Sequence, residues 1–276
     1  MTHGRYSLPA ELCLLAWDPA TGQLAGVPQL PGLVRAGALT ELLQRGLLTD
    51  ADGAARPDDD ARTGDFALDD LLELIGESRP HSWRDWVTRH AKLTLDAVRG
   101  LLERDGALRP EHKRMLGLLP AKDYTLEREA AVTALRADAL RLLRGPGGTA
   151  AVPGRDAALI ALADAGELRT VVSGDDAVRY RQRIAGLAAR SERAARGAAP
   201  EREHGGSGAV GGAGAPGTAG GSAVTGAQEA AGASGAAEER VPAGIPGTAE
   251  ERAVAEVRAG LADAVAAARR EALTGG

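Results

Sequence analysis

Residues 31–50 read PGLVRAGALTELLQRGLLTD, and the fold class follows from them. Leu33, Val34, Leu39, Leu42 and Leu43 fall at mixed three- and four-residue spacings, the apolar stripe of a helix that faces a core. Arg45-Gly46 stops that helix, because glycine takes the left-handed C-terminal position without steric cost. Leu47-Leu48 follow as a short apolar return. The same device recurs in GLLERDGAL (residues 100–108) and IALADAGELRTVV (residues 160–172). Three helices closed by glycine and followed by leucine predict three walls of one helical core, and their irregular spacing argues against a solenoid.

Working outward, Ser7-Leu-Pro-Ala-Glu is a helix start with Ser7 as cap and Pro9 in the first turn. Leu12, Cys13, Leu14, Leu15 and Trp17 make that helix apolar nearly all round, hence deeply buried. Asp18–Gly22 reads as a turn and residues 23–27 as a short strand. TDADGAARPDDDARTGD, residues 49–65, has charges and turn formers without an apolar period and is expected to be loop. Thr63-Gly64-Asp65 caps a helix through Phe66, Leu68, Leu71, Leu72 and Ile75. Ser82 caps another that carries Trp83, Trp86 and Val87 and continues or bends toward Leu95, Val98 and Leu102. Apolar runs either side of residues 120–123 predict a hairpin over 116–126. Further helices are expected over 127–144, 156–165 and 175–193.

From residue 197 to 247 the chain is mostly Gly, Ala, Ser and Pro. Such a segment buries too little apolar surface to offset its ordering entropy and reads as disordered linker. Three segments result: a helical domain over 5–193, a linker over 194–248, and an isolated amphipathic helix over 249–273 with Val254, Val257, Leu261 and Val265 on one side. The predicted class is mainly α, a single helical domain with one β-hairpin.

One cysteine, Cys13, excludes an intrachain disulfide framework and suits a reducing compartment. No basic region followed by a long apolar run opens the chain, so no secretion signal is expected, and no stretch approaches a membrane span. Arginine outnumbers lysine ten to one, a coding bias of GC-rich bacterial genomes. The net charge of −5 hides an asymmetry: ten acids against Arg56 and Arg62 over residues 50–77, then nine Lys/Arg against five acids over 79–114. Such a dipolar distribution orients a protein toward an anionic surface, or is two solvated helix faces.

Catalytic constellations do not emerge. His3, His81, His90, His112 and His204 show neither an HExxH pattern nor cysteine at metal spacing, and neither GxSxG nor a phosphate-cradling glycine loop occurs. No enzymatic activity, cofactor or metal is expected. Asp58, Asp59, Asp60, Asp65, Asp69 and Asp70 suit helix capping more than a divalent cation. Trp83 and Trp86, three apart, suit core packing more than ligand stacking. Arg89, Lys92 and Arg99 are a solvated face or an anion site.

The order of motifs is informative beyond composition. SLPAELCLLAWDPATGQL, GLVRAGALTELLQRGLL, RTGDFALDDLLELI, SWRDWV, LLERDGAL, the apolar hairpin and RDAALIALADAGEL, in that order over about residues 8–187, resemble the Golgi phosphoprotein 3-like family, which has bacterial members. The resemblance implies a mainly α-helical domain with a β-hairpin on one side. It also implies a peripheral, adaptor-like role on the cytoplasmic face of a membrane through phosphatidylinositol 4-phosphate or another anionic phospholipid headgroup. The family's pocket arginine falls on Arg35 and its tryptophan on Gly26. Its later basic pair falls on Lys92 and Leu95 in one register, or on Ala91 and Thr94 in the other. The expected lipid-binding set is therefore Arg35 and Lys92 with Arg89 and Arg99 nearby. Self-association, or a protein partner, is expected at the hairpin residues Leu116, Leu118, Leu119 and Tyr124. Two rival readings are a lipid-independent protein–protein scaffold and a winged-helix-like nucleic-acid regulator. The overall acidity and the lack of a compact basic recognition helix disfavour the latter, so no nucleic acid is expected.

Overall fold

The 31–50 stretch forms helix α2 (Leu30–Gln44) at the centre of the molecule, buried on nearly every side. Gly46 closes it in the left-handed region (φ +70°), and the Leu47 amide donates to the Leu42 carbonyl at 3.0 Å. This is the six-to-one bond of a glycine-capped helix end. The computed structural model describes residues 6–18, 23–24, 28–58, 60–112, 122–196 and 247–274.

Helix α1 (Leu8–Leu15) packs across α2 and is followed by a short antiparallel pair, β1 (Trp17–Asp18) with β2 (Gln23–Leu24). After Gly46 the chain does not enter a loop, as its polarity predicts. It forms a hairpin, β3 (Leu48–Ala51) with β4 (Ala54–Pro57), turning through Asp52 and Gly53, both with positive φ. Asp-Gly is the residue pair such a two-residue turn requires, but its flanks lack the apolar alternation that signals strands. Helices α3 (Phe66–Glu77) and α4 (Trp83–Thr88) carry the expected caps. Asp65 accepts from the Ala67 amide at 2.9 Å and Ser82 from the Asp85 amide at 3.2 Å.

Helix α5 (Ala91–Arg104) is not a continuation of α4, because His90 (φ +51°) breaks the chain between them. Gly106 (φ +68°) closes α5 as Gly46 closes α2. The chain then enters β5 (Leu108–His112) directly, paired antiparallel with β6 (Lys122–Leu126) so that Leu108 faces Leu126. The hairpin exists, and the strand paired with β6 is LRPEH, with buried Leu108 and Leu126 fastening its base. Residues 113–121, including Leu116, Leu118 and Leu119, lie outside the described residues.

Helix α6 (Glu129–Arg144), a 3₁₀ turn and α7 (Gly154–Ala165) follow. The third closure differs from expectation: Glu167 (φ +50°), not Gly166, is left-handed, although the Leu168 amide still reaches the Ala163 carbonyl at 2.8 Å. Gly166 serves close packing instead, for a Cβ there would lie 2.9 Å from Leu33 Cδ1. The single helix expected over 175–193 is two, α8 (Gly174–Arg179) and α9 (Arg181–Arg196), parted at Tyr180.

The last helix, α10 (Ala249–Thr274), follows the Gly/Ala-rich segment, whose residues 197–246 lie outside the described residues. It is not isolated. It belongs to the same unit as α1–α9 and packs on α2, α4, α7 and α9. Ala253, Val254, Val257, Leu261 and Val265 are all buried. Among the described residues no helix is long and apolar enough to cross a membrane.

Candidate functional site

Arg35 stands in the second turn of α2, flanked by leucine, valine and alanine, and has no solvent-exposed surface. Its Nη2 donates to the His90 carbonyl at 2.7 Å, while Nε and Nη1 are buried without a hydrogen-bond partner. Burial lowers its pKa to about 10, so the guanidinium remains charged at neutral pH. An unpaired buried cation is costly, and the surroundings explain what would satisfy it.

His90 turns the chain from α4 into α5 and is the residue before α5's first amide, with no side chain capping those amides. The first N–H groups of a helix are orphan donors carrying partial positive charge. Arg35 thus reaches the backbone at the start of the 14-residue helix α5 through Nη2, with Nε and Nη1 left unpaired. Arg89, the last residue before His90, and Lys92, in the first turn of α5, add exposed positive charge there. Together these groups are suited to an anion that accepts several hydrogen bonds at once, as a phosphate does.

Of the four residues expected to bind lipid, the fold brings Arg35, Arg89 and Lys92 to the α4–α5 junction. Arg99 is elsewhere. It lies on the same side of α5 as Lys92 but two turns on, about 10 Å along the axis. There it stacks on the Tyr124 ring, its guanidinium carbon 5.4 Å from the centroid, and lies against Cys13. The second basic position of the family pattern is apolar or buried in either register, for Thr94 and Leu95 face the core. Gly26 lies outside the described residues. The positive φ of His90 left no trace in the sequence, since no glycine or proline stands there.

Cys13 shows what the same interior does to a neutral group. Burial pushes its thiol from the ordinary 9.0 up to about 11, with nearby Arg99 pulling the other way. The folded pKa exceeds the unfolded one, so the thiol's contribution is complete below pH 9 and lost as pH rises toward 11. The stability of wild type relative to Cys13→Ala, followed by urea unfolding, should fall by about 2–3 kcal/mol across that window.

Asp65, Asp69 and the two tryptophans have structural roles, and Asp59 lies outside the described residues. Asp65 caps α3, and Asp69 accepts from the Thr63 amide and hydroxyl, each at 2.7 Å. Trp83 and Trp86 are buried in the core; the Trp83 indole donates to Asp50, and His81 meets Trp86 edge-on at 5.6 Å. A groove of about 450 Å³ between α3 and α5 exposes Phe66 and Leu93 beside Asp70, Glu73 and Glu77.

Comparison with known proteins assigns the chain to a family. The family model for Golgi phosphoprotein 3 (GPP34) matches residues 8–204, more than half of the chain. The chain belongs to the Golgi phosphoprotein 3 family. No curated protein matches it closely enough to count as a relative. The Golgi phosphoprotein 3 stretch takes in α1–α9 and both features built on it, the Arg35 site and the α3–α5 groove. Helix α10 lies beyond the stretch and is held against it by ion pairs: Arg84 to Glu256 and to Asp263 (2.5 Å each), Arg196 to Glu251 (2.8 Å) and Arg258 to Glu192 (3.0 Å).

Proposed function

We propose that this Golgi phosphoprotein 3 family member is a non-catalytic peripheral membrane protein. It acts at the cytoplasmic face of a membrane and binds a phospholipid headgroup phosphate, that of phosphatidylinositol 4-phosphate or another anionic lipid, at the Arg35 site. The observation that carries this reading is the buried Arg35 guanidinium, two of its nitrogens unpaired and the third bonded to the His90 carbonyl at the start of α5, which no side chain caps. A phosphate supplies the acceptors that both lack. Arg89 and Lys92 supply longer-range attraction of about 1 kcal/mol each near an anionic surface.

The test is co-sedimentation with phosphatidylcholine vesicles carrying phosphatidylinositol 4-phosphate, or phosphatidylglycerol or cardiolipin at matched charge. Selective pelleting that Arg35→Met removes is expected. Equal pelleting on every anionic vesicle, unchanged in Arg35→Met, would reduce the site to general electrostatic attraction, and no pelleting would sink the reading.

A second reading, the protein scaffold or adaptor, has its own observation: the α3–α5 groove sets two exposed apolar side chains beside three acids. A basic, apolar peptide matches it in charge and polarity, and a partner lost on Leu93→Asp but kept in Arg35→Met would favour this role.

A further inference from the structure

We infer that α10 is a releasable cover over the seam that leads to Arg35, so that tail docking and headgroup binding oppose each other; this rests on the anionic-lipid reading above. Leu261, at the middle of α10, has no exposed surface. Its Cδ1 lies 3.7 Å from where a Cβ of Gly32 would stand, and the Val87 carbonyl oxygen lies 3.7 Å from the same point. Gly32 is one turn before Arg35 on α2, and Val87 is three residues before His90. Leu261 therefore fills the α2–α4 seam one turn away from the Arg35–His90 contact.

The cover also removes charge from that face. Gly260 rests on the backbone of Arg84, 2.9 Å from Cα to the point a Cβ would occupy, and the Arg84 guanidinium is held by Glu256 and Asp263. Arg84, Arg89 and Lys92 follow one another along α4 and the start of α5. The docked tail neutralises the first of them. Its buried face is built mostly on valine, alanine and glycine with one leucine, and the ion pairs along its exposed edge are ones an anionic surface competes for and salt screens. With α10 docked, Nε and Nη1 of Arg35 have no hydrogen-bond partner. The family stretch, residues 8–204, ends before α10. Linkage then requires reciprocity: whatever releases the tail strengthens headgroup binding, and headgroups release the tail.

The full chain is compared with its Leu261→Asp and Gly260→Leu variants. Hydrogen exchange over residues 249–274 reads release, and co-sedimentation with phosphatidylcholine–phosphatidylglycerol vesicles reads binding. Leu261→Asp adds a negative charge, so charge alone would weaken its binding. Release should instead strengthen it about fivefold, the ratio one freed arginine contributes near an anionic surface. In the wild type, vesicles should speed exchange over 249–274. Faster exchange in either variant without stronger pelleting would overturn the cover. So would vesicle-bound wild type whose tail exchanges as slowly as in solution. If no form pellets on any vesicle while a variant's tail is released, the lipid reading itself fails, and the cover with it.

Discussion

Arg35→Met should make the protein more stable, by about 1–4 kcal/mol, while removing its preference for anionic vesicles. The guanidinium has no exposed surface, and among the described residues its one hydrogen-bond partner is the His90 carbonyl. Burial is the sole cause of its lowered pKa, with no carboxylate offsetting the loss of water. Methionine has similar volume and no charge to desolvate, and it adapts to an irregular cavity. The His90 carbonyl would still accept from the Leu93 amide at 2.9 Å, so little is orphaned. Urea unfolding should show a higher midpoint with an unchanged slope. A loss of about 3 kcal/mol or more would mean that the guanidinium is a strut between α2 and the α4–α5 break, and the case for a binding role would fall with it.

Two glycines in helices should respond oppositely to the same substitution. A Cβ on Gly37 of α2 would lie 2.7 Å from Leu12 Cδ1 and 3.2 Å from the Pro9 Cα, where α1 crosses α2. Leu12 could rotate away, but the Pro9 backbone yields only if α1 moves. Gly37→Ala should cost about 1–3 kcal/mol, and Gly37→Leu more. Gly100 of α5 has nothing within 4 Å of its Cβ position, and helical glycine is about 0.5–1 kcal/mol worse than alanine. Gly100→Ala should therefore stabilise by that amount. Thermal midpoints of the two variants would lie on opposite sides of wild type; a shift of both in one direction would contradict the packing described for α1 on α2.

The helices were legible wherever an apolar period ended at a stop. Residues 31–50 specify α2 and its Gly46 closure because pattern, propensity and turn chemistry agree there. What the sequence hid are features that depend on a second surface. Gly32, Gly166 and Gly260 look unremarkable singly, yet each makes room where α10 meets the domain, so the tail's alanine- and valine-rich face read as unpartnered. Lys92 and Arg99, seven residues apart, share a helix side and cannot be told apart by spacing; only the position of Tyr124 on the neighbouring hairpin separates their surroundings. Of the candidate site, Arg35 and Lys92 came through family resemblance. The left-handed His90 that turns its carbonyl to Arg35 came from neither pattern nor resemblance.

The start of α1 has a consequence for how the chain folds. The Leu8 amide is capped not by Ser7, whose hydroxyl is buried without a partner, but by the Glu41 carboxylate of α2 at 2.5 Å. An eight-residue helix is too short to persist alone in water, and here even its cap arrives from a residue 33 positions later. The earlier-made of these two segments therefore waits as coil until α2 has been made and packed. Nucleation belongs to α2 and its neighbours, and α1 condenses onto a surface already formed.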